Sequence, residues 1–414
     1  MEKAAASTIG WVDFSDAERE KVNQAIKAFR QQDTIDELGI GQVRDAFADL
    51  LFPGTTTIQT RLRYMLFVPW LCLTLEDQRV DSKDFRARLK EDEVRLINGL
   101  KAGCPEGEDG LIGSSAGSSL QRFPSEIYWS GIRTWGIRRF PGSLRDYVRH
   151  IDSYYRRVKA ISRADDGDPL DIITPNWHPA LPEIPVNMLE KKSLNLTTEE
   201  ADYLVEMVRK NCPESLLSHL FVHQRDERAD VEFIWQHLHK DSFPSKLDVQ
   251  IRHARNFSEI MHGAHLLYNL LLCRLTERQV KEDEYFQRMN EWWKMIHSES
   301  NRFNSRPRDT FWRLARQGAG RPINHGTKHF IDTWIDFTLK SDSLEDLLRV
   351  ASNQRLLEKR EHSIKGRRAR LTTPQRREDW RPGSGEARLS FRWEIVRTYL
   401  SDLKHAYSGE KGNA

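Results

Sequence analysis

The sequence predicts a mainly α-helical globular protein, with many helices in two helical domains and few short strands near the C-terminus. Three features carry that expectation. Apolar residues recur three and four positions apart through most of the chain, the period of one buried helix face. Capping patterns, in which a Ser or Thr is followed three residues later by Glu, precede several of these runs, as at Ser15–Glu18 and Thr197–Glu200. Strict alternation is sparse, and its best instance is Arg388–Trp393, where Leu389, Phe391 and Trp393 alternate with Ser390 and Arg392.

A chain of 414 residues can hold two or three domains and a substantial core. Its 64 Lys and Arg nearly balance 61 Asp and Glu, leaving a formal charge of +3, so any polyanion partner must be held by local patches. The cysteines Cys72, Cys104, Cys212 and Cys273 are scattered, which suits reduced thiols in a cytoplasm better than a disulfide frame. The opening MEKAAASTIGWVDFS lacks the apolar core of a secretory signal. The longest nearly uncharged run, Tyr64–Leu75, is too short to span a bilayer. A cytoplasmic protein with no membrane partner is expected.

Taken in order, Ser15 and Glu18 open a helix with Val22, Ala25, Ile26 and Phe29 on one face. Val43, Phe47, Leu50 and Leu51 then form a second apolar stripe, stopped by Phe52-Pro53-Gly54. Thr57 is expected to cap a helix that is apolar on all sides from Ile58, and Pro69 to kink or end it. Arg44, Asp45, Asp49, Arg61 and Arg63 sit beside this core and are expected to form internal ion pairs that fix its turns. Residues 77–100 read as a charged, solvated helix with Phe85, Leu89, Val94, Leu96 and Ile97 inside, followed by a Gly- and Ser-rich loop over 103–119.

Ser125 is expected to cap the helix of Ile127, Tyr128, Ile132 and Trp135, which Gly136 ends. Ser143 is expected to cap a longer one through Leu144, Tyr147, Val148, Ile151, Tyr155, Val158 and Ile161, expected to pack over the apolar helix of 58–75. Five prolines between Asp165 and Pro185 mark a boundary, giving domains 1–165, a linker 166–187, a central domain 188–358 and a basic C-terminal segment 359–414. Beyond Thr197, helical patterns cover 213–222, 231–239, 256–274, 285–295, 327–339 and 394–405.

Two stretches suggest chemistry. Lys359–Arg381 carries nine Lys and Arg against three acids, and guanidinium forks pair bidentately with phosphates. Tyr128–Arg163 carries nine Lys and Arg against two Asp, interleaved with seven aromatics. Its arginine face can follow a phosphate backbone, and a tryptophan such as Trp135 can stack on an unpaired base. A solvated surface and core aromatics would give the same composition. Seven of fourteen histidines fall between His219 and His265, with pairs at i, i+4 (His219, His223) and i, i+3 (His262, His265) that can chelate a metal. For His262 and His265, hydrogen-bonded core histidines are the plainer expectation. No Walker A, nucleophile-elbow or kinase motif is present.

The blocks GWVDFSDAERE, DELGIGQVRDAFADLLFPGTTTIQTRLRYMLFVPWL, PSEIYWSGIRTWGI, FSEIMHGAHLLYNLLL and REHSIKGRRARL, followed by Trp380 and RLSFRW, resemble an uncharacterised bacterial family, a domain of unknown function. The resemblance covers nearly the whole chain in order and implies no catalytic residues. It implies a setting in phage-defence islands beside helicase-like and phospholipase-D-like nuclease genes. The expectation is therefore a non-enzymatic accessory subunit of an antiviral system, binding nucleic acid (DNA in the first instance) and partner proteins, with no cofactor or metal. Lys365, Arg367, Arg368, Arg370, Arg376 and Arg377 are the expected phosphate contacts, joined by Arg145, Arg149, Arg156 and Trp135. A pure protein scaffold, or a metal-dependent hydrolase built on the 219–265 histidines, are the alternatives.

Overall fold

The computed structural model describes residues 36–114, 120–161, 174–223, 230–237, 239–299, 303 and 307–408. The helix expected after Ser15 lies outside them. The protein is mainly α-helical, and the only β pairing among the described residues is an isolated bridge between Arg138 and Trp177. By its contacts the chain groups into two compact units. The first draws on Met1–Gln42, Asn256–Pro307 and Ile323–Leu389, and the second on Val43–Arg255, Arg308–Pro322 and Ser390–Ala414.

The second unit contains α1 (Gly41–Leu51) from Val43 onward, α2 (Tyr64–Asp77), α3 (Ser82–Gly103), α4 (Pro124–Thr134), α5 (Leu144–Ile161), α6 (Thr198–Asn211) and α7 (Leu216–His223). The first part of α8 (Ser245–Leu275), together with α10 (Arg308–Ala319) and α14 (Trp393–Ser408), completes it. Helix α2 is its centre, because nine consecutive residues from Tyr64 to Cys72 are buried, leaving no solvated face. It packs on α3 and α4, and the Tyr147 hydroxyl of α5 reaches Glu76 near its end. The Trp70 indole donates to the Pro182 carbonyl at 2.8 Å, so the chain at Pro182 lies against this core.

The helix differs from expectation at both its start and its proline. Thr57 does not cap it: residues 55–63 are turns, Ile58 is 42% exposed, and α2 begins only at Tyr64. The turns are held by side chains instead, with the Thr55 hydroxyl donating to Phe52 O at 2.7 Å and the Thr56 N–H donating to Gln59 Oε1 at 2.9 Å. Pro69 does not end α2, which continues eight residues to Asp77. Burial on every side compensates for the single lost backbone bond.

Several termini match their sequence signals. Thr197 Oγ1 accepts the Glu200 N–H at 3.2 Å and the Glu200 carboxylate takes the Thr197 N–H at 3.1 Å, a closed capping box on α6. Ser143 Oγ accepts the Asp146 N–H at the start of α5. Gly136, with φ +74°, follows α4 in the left-handed conformation that glycine tolerates best. Ser125, by contrast, is not a cap: Phe123 holds that position, and the Ser125 N–H is used elsewhere, as described below.

The short C-terminal strand is absent. Phe391 and Arg392 adopt φ of 54° and 69°, which no extended strand can accommodate, and α14 starts at Trp393. The alternation arose because Phe391 and Trp393 are both buried around a turn, against the rings of Phe47 and Phe52 respectively. Residues 231–239, read as a short helix, hold among their described residues only the 3-10 turn Ile234–Gln236, and a second such turn, Lys240–Ser242, follows them.

The first unit is built from the second part of α8 with α9 (Gln279–Ser298), α11 (His325–Lys340), α12 (Leu344–Asn353) and α13 (Leu356–Lys365). Two tryptophans fasten it. Trp292 Nε1 donates to Glu259 O at 2.8 Å and Trp334 Nε1 to Ile260 O at 2.9 Å, and their rings stack at 6.0 Å. Gly263 makes this possible, since a Cβ there would stand 2.2 Å from the Trp292 ring.

Candidate nucleic-acid interface

The basic tract folds as the end of α13 and two 3-10 turns, Gly366–Arg368 and Pro374–Asp379, all in the first unit. Its cations divide into two sets. Arg360, Lys365 and Arg370 face inward. Arg360 donates to Leu38 O at 2.8 Å, Gly39 O at 2.7 Å and the Thr327 hydroxyl at 2.8 Å. Lys365 pairs with the buried carboxylates of Glu37 and Glu361, and Arg370 with Glu37 at 2.5 Å. Tyr268 completes the cluster by donating to Glu361 at 2.7 Å, and the Ser384 hydroxyl also donates to Glu37.

Burial pushes the Glu37 carboxyl up, yet hydrogen bonds from Lys365 and Ser384 and the charges of Lys365 and Arg370 outweigh it and hold the group below its ordinary value. Two carboxylates and two cations therefore make a compensated internal network. Lys365 and Arg370 are occupied in holding Glu37, so they are poorly placed to meet a phosphate.

The second set faces solvent. Arg367, Arg368 and Arg376 are exposed, the last 3.5 Å from Asp379. Arg377 is half-buried and donates to the Arg370 and Leu371 carbonyls at 3.3 and 3.4 Å.

In the second unit, α5 separates its faces as its spacing requires. Leu144, Tyr147, Val148 and Ile151 are buried, while Arg145, Arg149, Arg156 and Arg157 are exposed. Both aspartates of this helix are engaged at helix starts. Asp146 takes the Ser143 hydroxyl at 2.6 Å, and Asp152 takes the Ser82 N–H at 2.9 Å where α3 begins. These bonds from Ser143 and Ser82 hold the two carboxyls below their ordinary value. Arg149 is 3.7 Å from Asp146, and among the described residues Arg145 and Arg156 form no ion pair. The result is an exposed arginine row with its local acids already used.

Trp135 is not part of that row. It is fully buried, its indole donates to Pro53 O at 2.8 Å, and its ring meets Phe221 and Tyr399 edge-on. A ring enclosed on all sides cannot stack on a base, so the expectation for Trp135 is corrected to a core role.

The histidines separate as well. His219 and His223 lie on α7 with ring centroids 4.4 Å apart, lining a cavity of about 370 Å³. Burial pushes His219 down, and His223 and His237 add to the effect. In the first unit burial, followed by the charges of His265 and Arg288, pushes His262 down to about 3, so it is neutral at physiological pH. Among the described residues no group of three or more His, Cys, Asp or Glu is arranged to hold a metal ion.

The sequence did not single out one further group. Glu93, on the inner face of α3 between Leu89 and Leu96, is 1% exposed, and its Oε1 accepts the Ser125 N–H at 2.7 Å. The signal was present, because a carboxylate one turn from Leu89 and Ile97 falls on the buried stripe of a charged helix.

Fold and surface together define a mainly helical protein with exposed arginines on one amphipathic helix and on two 3-10 turns, and with no described helix long and apolar enough to cross a membrane. The chain belongs to DUF6361, a family of unknown function whose model matches residues 6–407. No curated protein and no solved structure matches it.

Proposed function

We propose that this chain is a non-enzymatic subunit that binds nucleic acid through phosphate contacts, with Arg145, Arg149 and Arg156 on one surface and Arg367, Arg368 and Arg376 on another. The observation that carries this reading is the composition of α5, whose two acids are engaged at helix starts while, among the described residues, Arg145 and Arg156 on its outward face form no ion pair. Arginine forks meet phosphate bidentately, and release of counterions adds affinity that does not depend on base sequence. DNA is the first substrate to test.

The phage-defence setting and partner proteins such as a helicase or a phospholipase-D-like nuclease rest on the family resemblance of the sequence alone. They are part of the proposal on that footing.

A salt-dependent titration tests the binding. Log affinity for duplex or single-stranded DNA should fall linearly with log salt, and the slope should shrink when Arg145, Arg149 and Arg156 are replaced by Ala. Absence of binding to DNA and RNA at low salt overturns the proposal.

A further inference from the structure

A cavity of about 260 Å³ opens between α3 and the first turn of α4, within the second unit. Its walls are Leu89, Leu120 and Phe123, its mouth carries Arg86, Lys90 and the single acid Glu126, and Glu93 is part of its lining. Arg86 and Lys90 are exposed, whereas Glu93 is almost wholly buried.

Glu93 in part serves the fold. It gives Oε1 to the Ser125 N–H, one of the orphan donors at the start of α4. An ionised carboxylate has about four acceptor positions, and the Ser125 N–H and hydroxyl together use two. Neither cation at the mouth contacts Glu93: Arg86 pairs with the exposed Glu126 and acts on Glu93 only through its charge, and the Lys90 ammonium sits 5.3 Å over the Phe123 ring. Glu93 forms no ion pair among the described residues, so a buried carboxylate faces a cavity without a counter-ion. Isolated buried charge is costly, and a cation small enough to enter would remove that cost.

A bare cation would have to pass the positive charges at the mouth. A ligand with an ammonium at one end and a carboxylate at the other satisfies both regions at once. We propose that this cavity binds a zwitterionic ligand of amino-acid size, its ammonium on Glu93, its carboxylate on Lys90 and Arg86, and its apolar part on Leu89 and Phe123. The site is independent of the arginine surfaces above.

A proton accompanies the binding. Burial pushes the Glu93 carboxyl up to about 7, opposed by the Ser125 bonds and the Arg86 charge, with Glu126 adding to the rise. The charged groups facing it are Arg86 and Lys90 from its own helix and Glu126 from α4. Capture of an ammonium fixes the ionised form, so near neutral pH binding releases a proton and the heat varies with the ionisation enthalpy of the buffer.

The test is calorimetry and thermal shift on the full chain with individual free L-α-amino acids, each beside its decarboxylated amine and its N-acetyl derivative. The expected result is saturable binding of at least one amino acid, with both derivatives weakened at least tenfold. Glu93→Gln, which keeps an oxygen for Ser125, should abolish binding, and Lys90→Gln at the exposed mouth should weaken it several-fold. Should Glu93→Gln fail to fold, the derivative series and Lys90→Gln decide. Saturable binding by no amino acid, equal binding by the amine, or undiminished binding by Lys90→Gln overturns the site, and none of these outcomes bears on DNA binding.

Discussion

Lys365 donates to Glu37, a residue that is 0% exposed, and in doing so ties the start of the described chain to the basic C-terminal tract. Arg370 holds the other oxygen of the same carboxylate at 2.5 Å. Removing Glu37 would leave two partly buried cations, only one of which retains a carboxylate, Glu361. Glu37→Ala should therefore destabilise the protein by about 3–5 kcal/mol, as for other broken buried pairs. Urea unfolding monitored by tryptophan fluorescence measures it. A stable Glu37→Ala protein would mean the network is not closed as described.

Charge reversal on α5 should have the opposite profile. Arg145→Glu with Arg156→Glu should change stability by less than about 0.5 kcal/mol, since exposed positions away from special features rarely cost more. Nucleic-acid binding should be lost. Parallel gel shifts and thermal melts separate the two effects, and a melt as depressed as that of Glu37→Ala would show these arginines to be structural.

Gly263→Ala tests the tryptophan clasp. The added methyl would overlap the Trp292 ring, and overpacking of this kind typically costs about 1–3 kcal/mol. A shift of the denaturation midpoint without a change in slope is expected.

Glu76 offers a fourth test. Its Oε1 accepts the Trp177 indole at 2.9 Å and the Asn176 amide at 3.1 Å, together with the Tyr147 hydroxyl. Every donor is neutral, and burial outweighs those bonds and pushes this carboxyl up. Trp177→Phe deletes one donor and keeps most of the ring, so a loss of about 1–3 kcal/mol follows from a buried acceptor stripped of one bond to its charged form. Equilibrium unfolding in urea reads it.

The pH dependence of stability isolates Glu93. Its folded-state value is raised from 4.5 to about 7, so the folded protein binds the proton more tightly than the unfolded chain. That contribution is fully present below the unfolded value and is lost as pH rises through about 7. Glu93→Gln cannot titrate, so the stability difference between wild type and variant should move steadily in favour of the variant over this window. A difference that stays constant with pH would contradict the burial of an ionisable carboxyl there.

The parts legible in the sequence are those governed by local rules. The face separation of α5 follows from spacing alone, and the Thr197–Glu200 cap from four adjacent residues. Two of the charges beside the apolar core make buried pairs as expected, Arg61 with Asp402 at 2.7 Å and Arg63 with Glu200 at 2.6 Å, while Asp49 is exposed where it meets Arg392 at 2.5 Å. Their partners, however, were not legible, because each lies more than a hundred residues away. The same limit governs the basic tract. Counting cations over 359–381 reveals a positive segment, but not that Glu37 and Glu361 absorb Lys365 and Arg370. Alternation misled at Phe391 because two buried rings around a left-handed turn imitate a strand. Trp135 was misplaced for a related reason, since composition cannot distinguish an aromatic facing solvent from one enclosed by Phe221 and Tyr399.

The pairing of Glu37 with Lys365 spans 328 positions along the chain. A ribosome delivers residues in order, so a long stretch of the chain is made while this carboxylate waits for its cations. During that interval Glu37 must stay hydrated, because burial without Lys365 and Arg370 would strand a charge. The first unit therefore closes late, only after the 328 positions that follow Glu37 have been added. A protein truncated before Arg370 should lack this closure however well its other helices form.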